Sequence, residues 1–183
     1  MKLSAPAVLL ALLVSACTGP FKIIDTAASP PPGFTGPGDP DVAALIEANT
    51  ILGLGAPPPA TPQIAARGLA DLDYVAGAFN THIRWYEENP AAQGQILIAR
   101  REVRAAIGVS DSTPSQALID GLVAVSVAPD DAGMLKALEN PIFTLGPQAT
   151  LERLRHLPKL ETTPYAIIHI DQFRNSAFED NRR

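Results

Sequence analysis

The sequence predicts a mostly α protein: a single compact domain of about five to seven helices over residues 39–183, behind a Pro/Gly-rich tether. Three observations carry that expectation. A capping residue followed by proline recurs at Asp39-Pro40, Thr61-Pro62, Asn89-Pro90, Thr113-Pro114 and Thr163-Pro164. Proline suits the first helical position because its missing N–H would have no intrahelical partner there, and Asp, Asn or Thr before it can cap the exposed amides. Between these starts, apolar residues return at intervals of three and four, the period of one helix face. Ahead of them, the stretch 18–39 is crowded with Pro and Gly, which favour neither helix nor sheet.

The first helix is expected over about 40–52, with Val42, Leu45, Ile46 and Asn49 on one side, and Gly53 and Pro57-Pro58-Pro59 barring its continuation. The second, over about 62–88, is the longest. Ile64, Leu72, Val75, Phe79, Ile83 and Tyr86 form a stripe that Tyr74, Ala78 and Trp85 widen, so it should touch more than one neighbouring helix. The third spans about 90–108, with Ile96, Ala99, Val103 and Ile107 inward and Arg100, Arg101 and Arg104 outward. Asn89-Pro90 leaves room only for a short bend, so helices two and three should form an antiparallel hairpin.

The fourth segment, about 114–128, is apolar nearly all round through Leu118, Ile119, Leu122, Val123, Val125 and Val127. It reads as a buried helix or a strand, and its length and Thr113-Pro114 favour the helix. Short helices follow over 130–139, ended by Asn140-Pro141, and over 148–157, bracketed by Pro147 and Pro158. The last segment mixes a strand-prone run, Tyr165 to Ile170, with a helix start at Thr163-Pro164, and a helix to about Phe178 is the preferred reading.

The beginning of the chain has a different character. Lys2 gives a positive start, an apolar run of about ten residues extends from Ala5 to Val14, and Val14-Ser15-Ala16-Cys17 closes it on the single cysteine. This pattern describes a secretory signal peptide over residues 1–16, with an apolar run too short to span a bilayer, which takes about 20 residues. Its last four residues resemble the lipobox of bacterial lipoproteins: an aliphatic residue, two small ones, then cysteine. The resemblance covers Met1 to about Thr18 and implies that Cys17 is acylated, palmitate included, and becomes the first mature residue. Thr18 rather than Asp after the cysteine implies, by the same resemblance, the periplasmic leaflet of the outer membrane. Residues 17–38 are then a lipidated N-terminus and a tether, which if flexible spans about 25 Å root-mean-square. Phe21-Lys22-Ile23-Ile24 interrupts it and should lie near headgroups or touch the domain.

Composition narrows the function. A formal net charge of −5 argues against nucleic acid, which requires concentrated Lys and Arg. Aromatics make up 5% of the chain, so the core must be aliphatic, and one cysteine excludes an internal disulfide. The sequence offers no catalytic set, no metal set and no cofactor motif. His82, His156 and His169 are not spaced as paired ligands; Glu152 and His156 are one turn apart and read as an exposed pair. His169 and Asp171 share a face only in a strand. Ser126 lacks the glycines of a nucleophile turn, and Asp71-x-Asp73 and Glu87-Glu88 read as solvated faces.

Two clusters remain as candidate binding residues. His82, Trp85 and Tyr86 at i, i+3 and i+4 gather their rings near the end of the longest helix, either closing the core or lining a cleft. Arg100, Arg101 and Arg104 form a basic strip, suited to an acidic partner or anionic headgroups, or else a soluble face paired with Glu102. The expected function is a non-enzymatic, membrane-anchored helical module that binds another envelope protein or assists assembly. The alternatives are a small-ligand or cell-wall binding module built on the aromatic cluster, and a hydrolase whose catalytic groups, His82 or His169 among them, meet only in the fold.

Overall fold

The computed structural model describes residues 25–27, 29–33, 38–82, 85 and 90–180, with side chains to Gln172. The leader over 1–16, Cys17, the patch Phe21–Ile24, Ile83, Tyr86, Glu87, Glu88 and Asn89 lie outside the described residues. Seven helices lie among the described residues: α1 (Pro40–Leu52), α2 (Pro62–Thr81), α3 (Pro90–Ala106), α4 (Ser115–Ser126), α5 (Asp131–Ala137), α6 (Pro147–Arg155) and α7 (Thr163–Asp180). Neither the fourth segment nor the last is a strand.

The helix starts follow from local chemistry. The Asp39 carboxylate accepts the Asp41 N–H at 2.9 Å, and the Thr61 hydroxyl accepts the Ile64 N–H at 3.3 Å, with proline as the next residue in both cases. α4 departs from the expected pattern: Pro114 itself holds the cap position and offers no side-chain bond. At α7 the cap comes from another helix. Glu102 on α3 accepts the N–H groups of Glu161, Thr162 and Thr163 and the hydroxyls of Thr162 and Thr163, at 2.6–3.1 Å.

α2 is the central element, packed against α1, α3, α4 and α6, with every residue from Gly68 to Phe79 buried. The broad apolar face was expected to touch several helices, and it does. α1 crosses it closely at Gly68, where a Cβ would stand 2.6 Å from Ile51 Cγ2. α2 and α3 run antiparallel: Asn80 and Phe79 bond Gln93 at one end, and Asp73 meets Arg100 and Arg104 at the other. α7 returns along α3, with His169 bonded to Gln95 and Thr162 to Glu102. α5 and α6 close the base against α4 and α2. Leu45, Leu69, Leu72, Val75, Phe79, Ile96, Leu118, Leu122, Leu151 and Ile167 lie in one continuous, mainly aliphatic core.

Several expectations need correction. α2 stops at Thr81, seven residues short of the expected end, because the His82 backbone turns extended (ψ 125°) and the Trp85 N–H bonds the His82 carbonyl. Ile46 and Ile64, which their spacing sets on the apolar sides of helices one and two, are 51% and 41% exposed. Asp71 and Asp73, read as a solvated face, are fully buried. Arg100 and Arg104 do not form an outer strip; they are 7% and 1% exposed, and only Arg101 faces solvent. Part of the tether also behaves differently from a free coil: Asp25–Ala27 and Ser29–Gly33 are laid on the helical body, with Pro31 buried. Pro and Gly rule out regular structure there, but they leave carbonyls and side chains free to bond to the body.

Candidate functional site

Three polar clusters with a buried aspartate lie among the described residues, two gathered on the aspartate itself and the third on Arg67. In the first, Asp73 on α2 accepts both forks of Arg104, Nε at 2.6 Å and Nη2 at 2.9 Å, and is approached by Arg100 Nε at 3.4 Å. The Ser115 hydroxyl donates to Asp73 at 2.7 Å and accepts from Arg100 Nη2 at 2.6 Å. Arg104 Nη1 donates to the carbonyls of Ser110, Asp111 and Thr113, so the guanidinium fixes the α3–α4 loop as well. Burial lowers the Arg100 pKa, and the Asp73 charge opposes that shift. Two arginines face Asp73 and Asp25, so the buried charge balances within the cluster.

The second cluster surrounds Asp41, in the first turn of α1 and fully buried. Tyr74 Oη donates to it at 2.7 Å, Trp85 Nε1 at 3.0 Å, and His82 Nδ1 lies 2.7 Å from Oδ2. Trp85 stacks on Phe79 with ring centroids 4.6 Å apart and is buried, so it closes the core. The structure therefore brings His82 and Trp85 together through a shared carboxylate on α1, a residue the sequence reading did not single out. The His82 side chain remains 42% exposed, with Nε2 free of hydrogen bonds to the described residues.

The third cluster lies between α1 and α2. Arg67 donates through Nε to Asp71 at 3.0 Å and through Nη2 to Glu47 at 2.9 Å, while Nη1 bonds the Pro32 carbonyl. Asp71 Oδ1 has no hydrogen-bond partner among the described residues. Burial pushes the Asp71 pKa up to about 8; Arg67 opposes the shift and the Glu47 charge reinforces it. Above this cluster runs a groove of about 790 Å³, lined by Ala43, Ile46, Glu47, Thr50 and Ile51 from α1, Gln63, Ile64 and Arg67 from α2, Ser126 and Gly33. Ile46 and Ile64 form its exposed apolar rims.

The other sequence candidates separate in space. Glu152 and His156 make the exposed pair expected of them, at 2.8 Å. His169 faces Gln95 and lies on a helix, where Asp171 diverges from it. No group of His, Cys, Asp or Glu that could hold a metal occurs among the described residues, and no helix described is long and apolar enough to cross a membrane. What the sequence reading missed was burial of charge. Asp41, Asp71 and Asp73 sit inside apolar surroundings, and the available signal was that Asp71 and Asp73 fall on the longest helix, whose apolar face is broad. Compared with family models, with characterised proteins and with solved structures, the chain matches none.

Proposed function

We propose that the chain is a lipid-anchored protein of the bacterial cell envelope, held through an acylated Cys17, whose helical body is a non-enzymatic module that binds another envelope protein. The leader and the lipobox-like Val14-Ser15-Ala16-Cys17 support the anchor, and Thr18 supports the periplasmic face of the outer membrane. The observation that carries the binding mode is the groove between α1 and α2. It offers apolar rims at Ile46 and Ile64 above the Arg67–Glu47 ion pair, a mixture suited to a partner segment with one or two apolar anchors. The buried Asp73 cluster supports a structural role for Arg100 and Arg104, because their donors are spent on the fold. Replacing Cys17 with Ser should abolish lipid attachment and release the body from membranes. A photo-crosslinking residue at position 64 should then give a discrete adduct in intact envelopes that Ile46→Glu removes. Lipid incorporation that persists in Cys17→Ser would refute the anchor, and an adduct indifferent to Ile46→Glu would refute the groove.

A second reading has one specific observation behind it. His82 Nδ1 lies 2.7 Å from buried Asp41 and the His82 side chain is 42% exposed, the arrangement that orients a histidine general base. Hydrolysis of an activated ester that is lost in His82→Gln and kept in His156→Gln would favour a hydrolase; equal rates in the two variants would remove that reading.

A further inference from the structure

Asp25–Ala27 and Ser29–Gly33 are seated on the body by contacts spread along both stretches. The Asp25 carboxylate accepts the Ser115 N–H at the start of α4 at 2.6 Å, and its carbonyl accepts from Arg100 Nη1 at 3.3 Å. Thr26 covers Gly77 so closely that a Cβ there would lie 3.3 Å from Thr26 Cβ. Ala27 packs on the core, the Ser29 N–H donates to Gln116 Oε1 at 3.0 Å, and Pro31 is buried. Pro32 is held by Arg67 through its carbonyl, and Gly33, at φ +115°, rests against the same guanidinium. The segment thus runs antiparallel to α2 from Gly77 to Arg67, about 15 Å of helix at 1.5 Å per residue. Every seat belongs to the body, and a side chain at position 77 would press on Thr26.

We propose that Asp25–Gly33 is a strap that shortens the leash between lipidated Cys17 and the helical body, so that the body works at the membrane surface on a membrane-embedded or membrane-bound partner. The proposal rests on the anchor reading above. Only Thr18–Ile24 separate Cys17 from the fixed Asp25. Seven residues reach at most about 25 Å, against about 75 Å for a leash free through Gly38, at roughly 3.5 Å per residue. The strapped body therefore cannot follow a partner far from the bilayer, and release of the strap triples its range.

The test uses the lipidated full chain in phospholipid vesicles carrying an acceptor dye on the headgroups. Because Cys17 is acylated, Ser112→Cys on the exposed α3–α4 loop supplies the one free thiol for a donor dye. Energy transfer should be strong for the strapped chain. It should drop by about twofold or more in Asp25→Ala/Ser29→Pro, which removes two seats from the strap side, and in Gly77→Leu, which wedges Thr26 from the body side. Inserting fourteen Gly/Ser residues after Thr18 should lower transfer to the same level with the strap intact. Equal transfer from the strapped chain and from either variant, with helical circular dichroism and vesicle flotation retained, overturns the strap. Loss of flotation in the unsubstituted chain overturns the anchor instead, and the leash argument with it.

Discussion

At the scale of single residues, this protein places charge inside an aliphatic core and balances it there. Arg104 is the clearest case. Its forked guanidinium meets Asp73 at two points and three loop carbonyls at others, geometry that a lysine ammonium cannot reproduce. Removing one partner of such a pair leaves the other charge buried, so Arg104→Met should cost about 3–5 kcal/mol in urea unfolding. The double variant Asp73→Leu/Arg104→Met should be closer to wild type than Arg104→Met alone, and a simple sum of the two single effects would show that the pair does not act as a unit. Asp71 makes the opposite case, a carboxyl kept neutral by its surroundings. Its folded pKa of about 8 lies above the ordinary value of 3.8, so the folded state holds a proton that the unfolded chain releases. Its contribution is fully present below pH 3.8 and is lost as pH rises to about 8. Asp71→Asn mimics the protonated form, so its melting temperature should fall less than that of wild type between pH 6 and 9; parallel curves would show Asp71 to be ionised in the fold.

At the scale of elements, helices hold one another by their ends as well as their faces. Glu102 reaches from α3 to the first turn of α7, where unpaired N–H groups attract a carboxylate. Partial burial raises the Glu102 pKa, but the hydrogen bonds from Thr162 and Thr163 outweigh it and hold the carboxyl below its ordinary value. Glu102→Gln should therefore cost about 1–2 kcal/mol near neutral pH, within the range of a lost cap. A lowered folded pKa means that this stabilisation is present above the ordinary carboxyl range and lost as pH falls through it. The wild-type advantage in chemical denaturation should accordingly shrink below about pH 4, and a pH-independent difference would assign the effect to packing. The same contrast explains what could be read in advance. Helix positions were legible because caps, prolines and apolar spacing act within a few residues. Burial of Asp73 and Arg104 was not, because a residue 31 positions away decides it, and local spacing shows only which face of its own helix a charge occupies. Ile46 and Ile64 erred in the other direction: periodic placement marks a face, while the neighbour that would cover it is missing at the groove.

At the scale of the whole molecule, stability should be graded around α2. This helix touches α1, α3, α4 and α6, supplies Asp71, Asp73 and Tyr74 to the three polar clusters, and is buried almost throughout. Its amides cannot meet water unless the clusters and the core come apart together, so they should exchange only by global unfolding. α5 stands at the other extreme, seven residues with one buried side chain, Met134, packed mainly on α4 and α6. It can open while the α1–α4 core remains shut. In native-state hydrogen exchange, amides of Leu69–Phe79 should be the slowest and share the denaturant dependence of global unfolding. Those of Asp131–Ala137 should exchange orders of magnitude faster with little denaturant dependence. Comparable protection in the two helices would mean that α5 belongs to the same cooperative unit, and that α2 does not hold the domain together in the way its contacts imply.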